Sequence, residues 1–333
     1  LKLLLLLRSP CCCRINVGMA QLLKEFDTGH CGTIHDAQLD YYGQCLATAS
    51  ADGSIRLWDV RDPAEPRFLC ELGEHAGSVH QVSWAPPGTA TLLASVGSDG
   101  YIIVWGRLSL PDQWHAVHKQ DLRKRGAVRA VAWAPSEHGH ALACASADGS
   151  ISVLQHAGAV WTDMEGPEHR WNCQSFQAHK GQANAVSWGS PEQTMPGGRV
   201  SLSGARLASA GDDGVKAWFW GDELKAWEAE PMEASKDSQA IARDVAWKPW
   251  DETLASATRQ AVFIWRLEAD DVGENRSWRV VHQVPIGEEV WKISWSDIGG
   301  MLLVSCGEDQ RSLLLKQQLG GEWDVMNLEK GGG

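Results

Sequence analysis

The sequence predicts an all-β protein, a β-propeller of six blades with four strands each. Three observations lead to this prediction. A six-residue segment recurs six times along the 333-residue chain, and three further short blocks follow each copy. The blocks are bounded by Gly, Asp, Pro or Ser, which is typical of strands and turns. The 18 Trp residues far outnumber the 5 Phe and 3 Tyr, and most of them recur at fixed places in the blocks. Such a repeated four-strand unit is typical of propeller blades.

The first block of each unit predicts an innermost strand, which ends in Trp in every unit except the first. The six copies are residues 34–39, 79–84, 128–133, 183–188, 242–247 and 290–295. The second block is rich in Ala and Ser, and such small side chains fit a strand that is buried on both faces between neighbouring sheets. The second blocks begin at Leu46, Leu93, Leu142, Leu207, Leu254 and Leu303.

A turn and two more blocks complete each unit. The turn position, six residues after each leucine, is occupied by Asp52, Asp99, Asp148, Asp213, Gln260 and Asp309. Four of these residues precede Gly, a dipeptide that favours tight hairpin turns. The third blocks end at Trp58, Trp105, Leu154, Trp218, Trp265 and Leu315. The fourth blocks open with Phe68, Trp114, Trp171, Trp227, Trp278 and Trp323.

These blocks predict a single propeller domain over residues 19–330. We expect residues 1–18 to be a non-native or disordered leader, with Met19 as the start of the protein. The predicted blades lie near residues 28–72, 73–120, 121–178, 179–233, 234–284 and 285–330.

Composition and charge exclude several classes of function. With 30 Lys and Arg against 42 Asp and Glu, the net charge of −12 argues against nucleic acid as a direct partner. The nine cysteines lack disulfide or zinc-site spacing, which favours a reducing compartment. No stretch reaches the roughly 20 apolar residues that a membrane helix needs.

The sequence predicts no catalytic residue, no metal site and no cofactor. It lacks dinucleotide-binding, Walker, nucleophile-elbow and HExxH motifs. Asp212 and Asp213 resemble a metal-binding pair, but they fall at the repeated turn position. His138 and His140 have no third ligand nearby in the sequence, so a solvated loop is the simpler interpretation.

A spare strand precedes the first unit. The sixth unit contains its own fourth block, yet the apolar stretch with Leu22, Leu23 and Phe26 has no blade to join. Six complete sheets plus one strand predict an open ring with an unfinished seventh blade. Exposed strand edges of this kind are association sites.

The His, Ser or Thr, Asp and Trp positions resemble the WD-repeat pattern, in which these four side chains form a buried hydrogen-bond network. Three units carry the full set, namely His30, Thr48, Asp52 and Trp58; His75, Ser95, Asp99 and Trp105; and His179, Ser209, Asp213 and Trp218. The other units depart from the pattern, since Leu154 and Leu315 replace Trp, Gln260 replaces Asp, and Ser235 stands where His is expected. We expect those blades to be stabilised more by side-chain packing than by this hydrogen-bond network.

The order and the amino-acid sequences of the blocks resemble those of the Sec-thirteen family over about residues 26–328. The resemblance runs from Ile34-His-Asp-Ala-Gln-Leu in the first unit to Val290-Trp-Lys-Ile-Ser-Trp in the last. The resemblance implies an open six-bladed propeller, the small structural subunit of the outer COPII coat in ER-to-Golgi transport, and a component of the nuclear-pore scaffold. It also implies a long helical coat subunit, or a scaffold nucleoporin of the Y-shaped complex, that donates the seventh blade in trans. The protein would be cytoplasmic, peripheral on ER exit sites and COPII vesicles, and present at the nuclear envelope.

Unrepeated residues are the candidates for the partner interface. They are Leu22, Leu23, Phe26, Tyr41, Tyr42 and Trp291. Strand alternation predicts that Trp291 and Trp295, four residues apart, share a face, although core packing is the alternative interpretation. Three other functions stay open, namely a WD-repeat module that binds a peptide at the central opening, a subunit of a nutrient-signalling complex, and an enzyme.

Overall fold

In the computed structural model, the described residues are 2–3, 24–87, 91–107, 113–156, 171–189, 202–233, 240–249, 251–269, 276–296, 300–307, 311–318 and 321–327. The six repeated units form six separate sheets, which confirms the all-β propeller architecture. Apart from strands, the regular elements of the described chain are two short 3-10 helices, Arg123–Arg125 and Ser136–His138.

The first three blades each contain four antiparallel strands in sequence order. Blade 1 consists of Ile34–Leu39, Cys45–Ser50, Ile55–Asp59 and Arg67–Leu72. Blade 2 consists of Val79–Trp84, Leu92–Gly97, Tyr101–Arg107 and Trp114–Asp121. Blade 3 consists of Val128–Trp133, Ala141–Ser146, Ser150–His156 and Trp171–Gln177.

The last three blades repeat this order, with one additional strand in blade 5. Blade 4 consists of Ala183–Trp188, Arg206–Gly211, Gly214–Gly221 and Ala226–Ala229. Blade 5 consists of Asp244–Trp247, Thr253–Ala257, Ala261–Ala269 and Arg276–Pro285, and Met232–Glu233 pairs in parallel with its outer strand. Blade 6 consists of Val290–Trp295, Met301–Cys306, Arg311–Gln317 and Trp323–Asn327.

Small side chains let neighbouring blades pack closely. The second strand of blade 2 is buried at all six positions. Leu93 and Trp105 of this blade share one core cluster with Ala47 and Leu57 of blade 1. Because the second strands of blades 2 to 5 have a blade on both sides, large side chains on both faces would not fit. The Ala and Ser content of the second blocks is thus a packing requirement.

The Trp residues that end the first strands fasten one blade to the preceding one. Their indole Nε1–H groups donate hydrogen bonds of 3.0 Å to a backbone carbonyl of the previous blade's first strand. The pairs are Trp84 to Gln38, Trp133 to Ser83, Trp188 to Ala132 and Trp295 to Ala246. Trp247 differs, because it donates to the carbonyl of Asp251 in its own blade. Leu39, at the same place in blade 1, has no such donor.

The structure differs from the predicted blocks at two places. In blade 6, Leu302 rather than Leu303 lies opposite Leu315, as Leu93 lies opposite Trp105 in blade 2. Two adjacent leucines made this register ambiguous in the sequence. Met232–Glu233, predicted inside the fourth blade, joins the fifth sheet.

Two residues of the predicted leader are described, and Lys2–Leu3 pairs antiparallel with Lys24–Glu25 of the spare stretch. The rest of the leader lies outside the described residues, as do Leu22, Leu23 and Ser235.

Candidate functional site

No described blade covers the side of blade 6 that faces away from blade 5. The second strands of the other blades are buried almost without interruption, but Met301–Cys306 alternates between half-buried and buried positions. Leu302, Val304 and Cys306 belong to the core shared with blade 5. Met301, Leu303 and Ser305 point to the other side and are half-buried. One face of this blade therefore lacks a neighbour within the described chain.

An apolar row crosses this open face. Leu303 lies opposite Leu314, and Leu314 lies opposite Met326 on the outer strand. Residues that pair across neighbouring strands share a face of the sheet. Leu303 and Met326 are half-buried, whereas Leu314 between them is 4% exposed. The open face therefore carries aliphatic side chains in the place where the other blades contact a neighbour.

The facing side of blade 1 is covered by the spare segment instead of by a blade. Leu46, Trp58 and Val60 form a small core cluster against which Phe26 packs. Within the described residues this cluster contains no side chain of blade 6. The Phe26 and Trp58 rings meet edge to face with centroids 5.0 Å apart.

A charged pair spans the opening at the innermost strands. Lys292 Nζ of blade 6 lies 2.9 Å from Asp36 Oδ1 of blade 1. Asp244 of blade 5 is buried nearby, and its Oδ2 accepts a hydrogen bond of 2.8 Å from the Ile293 N–H. Burial raises the pKa of Asp244 to about 6, although the positive charge of Lys292 and the backbone N–H groups act in the opposite direction.

The network of blade 2 joins all four side chains that the sequence singled out. His75 Nδ1 lies 3.0 Å from Asp99 Oδ2, and His75 Nε2 lies 2.8 Å from Ser95 Oγ. The Trp105 indole donates to the same Ser95 oxygen at 2.8 Å. This pattern fits a neutral imidazole with its proton on Nδ1. Burial lowers the pKa of His75 and outweighs the opposite effect of Asp99.

Blade 4 has the same arrangement. His179 contacts Asp213 through Nδ1 and Ser209 Oγ through Nε2 at 2.8 Å, and the Trp218 indole donates to Ser209 at 2.9 Å. Burial would raise the pKa of Asp213, but hydrogen bonds from Lys216, His179 and the Lys180 N–H hold it at about 2.

In blade 1 the Trp58 indole does not join the network. His30 contacts Thr48 Oγ1 at 2.9 Å and Asp52 Oδ2 at 3.1 Å. Thr48 donates to the Arg56 carbonyl at 3.2 Å, and the buried Trp58 Nε1 has no hydrogen-bond partner among the described residues. Unlike Ser95 and Ser209, Thr48 carries a methyl group beside its hydroxyl.

Blade 5 retains one link that the sequence pattern missed. The Trp265 indole donates to Ser256 Oγ at 2.9 Å even though the His and Asp positions of this unit are changed. The signal was present in the sequence, because Ser256 sits at the same second-block position as Ser95. The Ser–Trp bond can therefore form without the rest of the network.

The exposed aromatic candidates lie on blades 1 and 6. Tyr41 and Tyr42 are 51% and 66% exposed in the turn between the first two strands of blade 1. Trp291 is 49% exposed, with the Arg243 guanidinium of blade 5 at 5.6 Å from its ring. The predicted shared face with Trp295 is wrong, because a bulge at Trp291 interrupts the alternation and Trp295 is buried.

The side chains considered for metal binding have other contacts. Asp212 accepts a hydrogen bond of 2.9 Å from the Gln182 N–H, while Asp213 belongs to the network. His138 stacks on Trp188 with centroids 6.1 Å apart, and His140 meets His156 edge to face. In the described part of the chain, no three His, Cys, Asp or Glu side chains are grouped so that they could hold a metal ion. No helix in that part has the length and apolar character to cross a membrane.

Comparisons with known proteins agree with this architecture. The family model described as "WD domain, G-beta repeat" matches residues 20–59 and 66–106. The chain is 35% identical over 326 residues to "Protein SEC13 homolog" of Drosophila melanogaster, which covers 94% of this chain and 85% of that protein. It is 36% identical over 308 residues to "Protein transport protein SEC13" of Yarrowia lipolytica, covering 89% and 95% of the two chains. The protein of the same name from Cryptococcus neoformans is 31% identical over 332 residues, covering 90% and 96%.

Proposed function

The chain belongs to the SEC13 family of WD-repeat proteins, and from this premise we propose that it is a non-enzymatic structural subunit of the outer COPII coat in ER-to-Golgi protein transport. A rigid propeller of this kind acts by holding a partner in a fixed orientation. The observation that carries the proposal is the face of blade 6 that no described blade covers, with its half-buried Leu303 and Met326 on either side of Leu314.

The partner is a long helical coat subunit that donates strands to the open side of the ring. An apolar sheet face that is bounded by a gap in the ring fits another sheet, because sheets pack face to face through aliphatic side chains. Insertion of a blade would cover the half-buried Met301 and Leu303 in the way that blade 3 covers Leu92 and Ala94 of blade 2.

A non-enzymatic role is supported by the positions and hydrogen bonds of the side chains that could act as general acids or bases. His75 and His179 are buried and each is bonded to a half-buried Asp, so that their hydrogen bonds hold strands together. Their role is structural, because each one links the segment before a first strand to the turn after a second strand.

The family resemblance also supports a second location, the scaffold of the nuclear pore, where a nucleoporin of the Y-shaped complex would donate the blade to the same open face. The protein would then be found both at ER exit sites and at the nuclear envelope. Imaging of the tagged chain beside markers of the two sites tests this distribution, and absence of signal at the envelope would restrict the proposal to the coat.

The experiment that tests the coat function is co-purification with the helical outer-coat subunit. Leu303→Glu places a charge on the open face, and we expect it to abolish recovery of the subunit while the free chain stays folded. Leu224→Glu, at a 72% exposed leucine in blade 4, is the matched control and should leave recovery unchanged. Equal recovery with both variants would contradict the proposed interface.

A further inference from the structure

Five first strands carry a β-bulge at the same position, the second residue of the strand. In each of them, the residues on either side pair with consecutive residues of the second strand, so one residue is left out of the pairing. A bulge re-aims the side chain of this extra residue. In blade 5 the residue at the same place lies directly before the first strand. We call the six residues the bulge ring: His35, His80, Arg129, Asn184, Arg243 and Trp291.

The bulge ring lies at one mouth of the central channel. The first strands of consecutive blades pack against one another from blade 1 to blade 6, and such innermost strands surround the channel of a propeller. Since every bulge is near the start of its strand, the six side chains lie at the same end of the channel. His35, Arg129 and Trp291 are exposed there.

The side chains of the bulge ring contact the next blade in turn. The rings of His35 and His80 meet edge to face with centroids 5.9 Å apart. His80 Nδ1 donates a hydrogen bond of 2.9 Å to the Val128 carbonyl of blade 3. Asn184 Nδ2 donates one of 2.9 Å to the Ala242 carbonyl of blade 5. These contacts hold the bulged side chains in defined positions around the mouth.

The bulge ring is basic, although the chain as a whole has a net charge of −12. It contains two arginines and two histidines and no carboxylate. Arg243 is neutralised by Glu289, whose Oε1 lies 2.8 Å from its Nη2. The carboxylate of Asp36, which follows the first histidine in the chain, is bonded to Lys292 Nζ at 2.9 Å. Arg129 is exposed and forms no ion pair with a described residue, so its charge is available to a ligand.

The two histidines lie close enough to this arginine to share its electrostatic surroundings. Burial lowers the pKa of His80, and the positive charges of His35 and Arg129 act in the same direction. Its hydrogen bond to the Val128 carbonyl and the carboxylate of Asp99 act in the opposite direction. An anion bound beside these three basic side chains would relieve their mutual repulsion.

We propose that the bulge ring binds an acidic peptide segment of a partner protein, with its carboxylates held by Arg129, His80 and His35. Arginine binds carboxylates through two parallel hydrogen bonds, which makes it well suited to this role. The exposed Trp291 ring on the other side of the mouth offers a neighbouring peptide residue an apolar contact, which a free anion would not use. This site goes beyond the proposed function, because it lies at the channel mouth and not on the open face of blade 6.

Fluorescence anisotropy of a labelled peptide of alternating Glu and Ser, titrated with the full chain, tests the site. A peptide with Gln in place of Glu is the control for charge, and we expect the Glu peptide to bind at least about tenfold more tightly. Arg129→Gln should weaken binding of the Glu peptide by about tenfold, and the exposure of Arg129 means that the variant stays folded. Arg67→Gln, at an exposed arginine on the outer strand of blade 1, makes the same change of charge and should bind like the unchanged chain.

The histidines add a pH dependence to the same titration. A bound carboxylate stabilises a protonated imidazole, so the Glu peptide should bind several-fold more tightly at about pH 5.5 than at about pH 7.5. The double variant His35→Gln/His80→Gln should lose most of this gain. A glutamine amide in place of His80 can still donate to the Val128 carbonyl, but it takes up no proton.

The other outcomes each overturn a part of the proposal. Equal binding of the Glu and Gln peptides, or equal losses in Arg129→Gln and Arg67→Gln, would overturn the site. Displacement of the peptide by an equal concentration of inorganic phosphate, or equally tight Arg129-dependent binding of a single-stranded oligonucleotide, would overturn the acidic peptide as its ligand. Leu303→Glu should bind the peptide like the unchanged chain, so this site and the coat function succeed or fail separately.

Discussion

Lys292 Nζ of blade 6 lies 2.9 Å from Asp36 Oδ1 of blade 1, although 256 residues separate them in the sequence. The Asp36 side chain is 5% exposed and that of Lys292 is 39% exposed. Asp36 Oδ2 also accepts a hydrogen bond of 3.2 Å from the Val82 N–H of blade 2. One carboxylate thus links blades 1, 2 and 6. At each of the other five junctions of the described ring, the Trp that ends a first strand donates a hydrogen bond to the preceding blade through its indole or its backbone N–H. Among the described residues, the junction of blades 6 and 1 has no such Trp.

The place of Lys292 in the repeat explains this contact. At the same position of the first strand, Gln81 accepts a hydrogen bond from the Val131 N–H at 2.9 Å and Asp244 accepts one from the Ile293 N–H at 2.8 Å. A lysine has donors only and cannot accept a bond from a following blade. No blade follows blade 6 within the described residues, and its side chain at this position bonds the carboxylate across the opening.

We expect Lys292→Met to lower the free energy of unfolding by roughly 1–2 kcal/mol, because the nearly buried Asp36 loses its counter-ion while the exposure of Lys292 reduces the effect. Adding Asp36→Asn to the Lys292→Met variant should lower the free energy of unfolding by less than Asp36→Asn does in the unchanged chain, since the two side chains are coupled. Urea unfolding of the two single variants and the double variant measures this coupling. Lys124→Met, at an exposed lysine, is the control. Strictly additive losses would contradict a direct ion pair.

Asp244 predicts a pH dependence of stability. Burial raises its pKa from 3.8 to about 6, so the folded state holds the proton more tightly than the unfolded state between these values. Stability should therefore fall as pH rises from about 4 to about 6, by roughly 3 kcal/mol from this group, and stay level above. Asp244→Asn, which stays neutral, should remove this part of the fall and raise stability at pH 7. Unfolding curves of the variant and of the unchanged chain at pH 4.5 and 7 measure this effect. If the stability difference between the two pH values were the same in both proteins, the raised pKa would be contradicted.

Asp213 predicts the opposite dependence. Its pKa is held at about 2, below the ordinary 3.8, so it stabilises the folded state above pH 4. That contribution, about 1–2 kcal/mol, is lost as pH falls from about 4 to 2. Asp213→Asn should be less stable than the unchanged chain at pH 6 and nearly equal to it at pH 2. Asp62→Asn, in an exposed turn, is the control, and thermal unfolding across this range is the measurement.

The repeated part of the fold could be predicted because each blade obeys the same local rules. The Trp positions, the small residues of the second strands and the Asp-Gly turns all follow from packing one sheet on the next. The open ring followed from counting blocks. The register of blade 6 was predicted one residue late, because Leu302 and Leu303 both fit the pattern and only the burial on one side distinguishes them.

The features that set this molecule apart depend on contacts that no local pattern encodes. The Lys292–Asp36 pair forms only because the ring brings the first and last blades together. The bulge that exposes Trp291 changes the strand alternation by a single residue, and sequence periodicity does not record it. Phe26 could be identified as part of a spare strand, but its edge-to-face contact with Trp58 is seen only in the structure.

The indole hydrogen bonds between blades lead to a last prediction. Trp133 donates to the Ser83 carbonyl in the preceding blade, whereas Trp247 donates to the Asp251 carbonyl in its own blade. Replacement of either by Phe keeps most of the apolar contact and removes one hydrogen bond, at a cost of about 1–2 kcal/mol. Trp133→Phe should therefore speed amide exchange in the first strands of both blades 2 and 3. In Trp247→Phe the faster exchange should be confined to blade 5, because the lost bond joins no second blade. Hydrogen exchange with peptide-level resolution separates the two patterns, and identical patterns would mean that the indoles contribute packing alone.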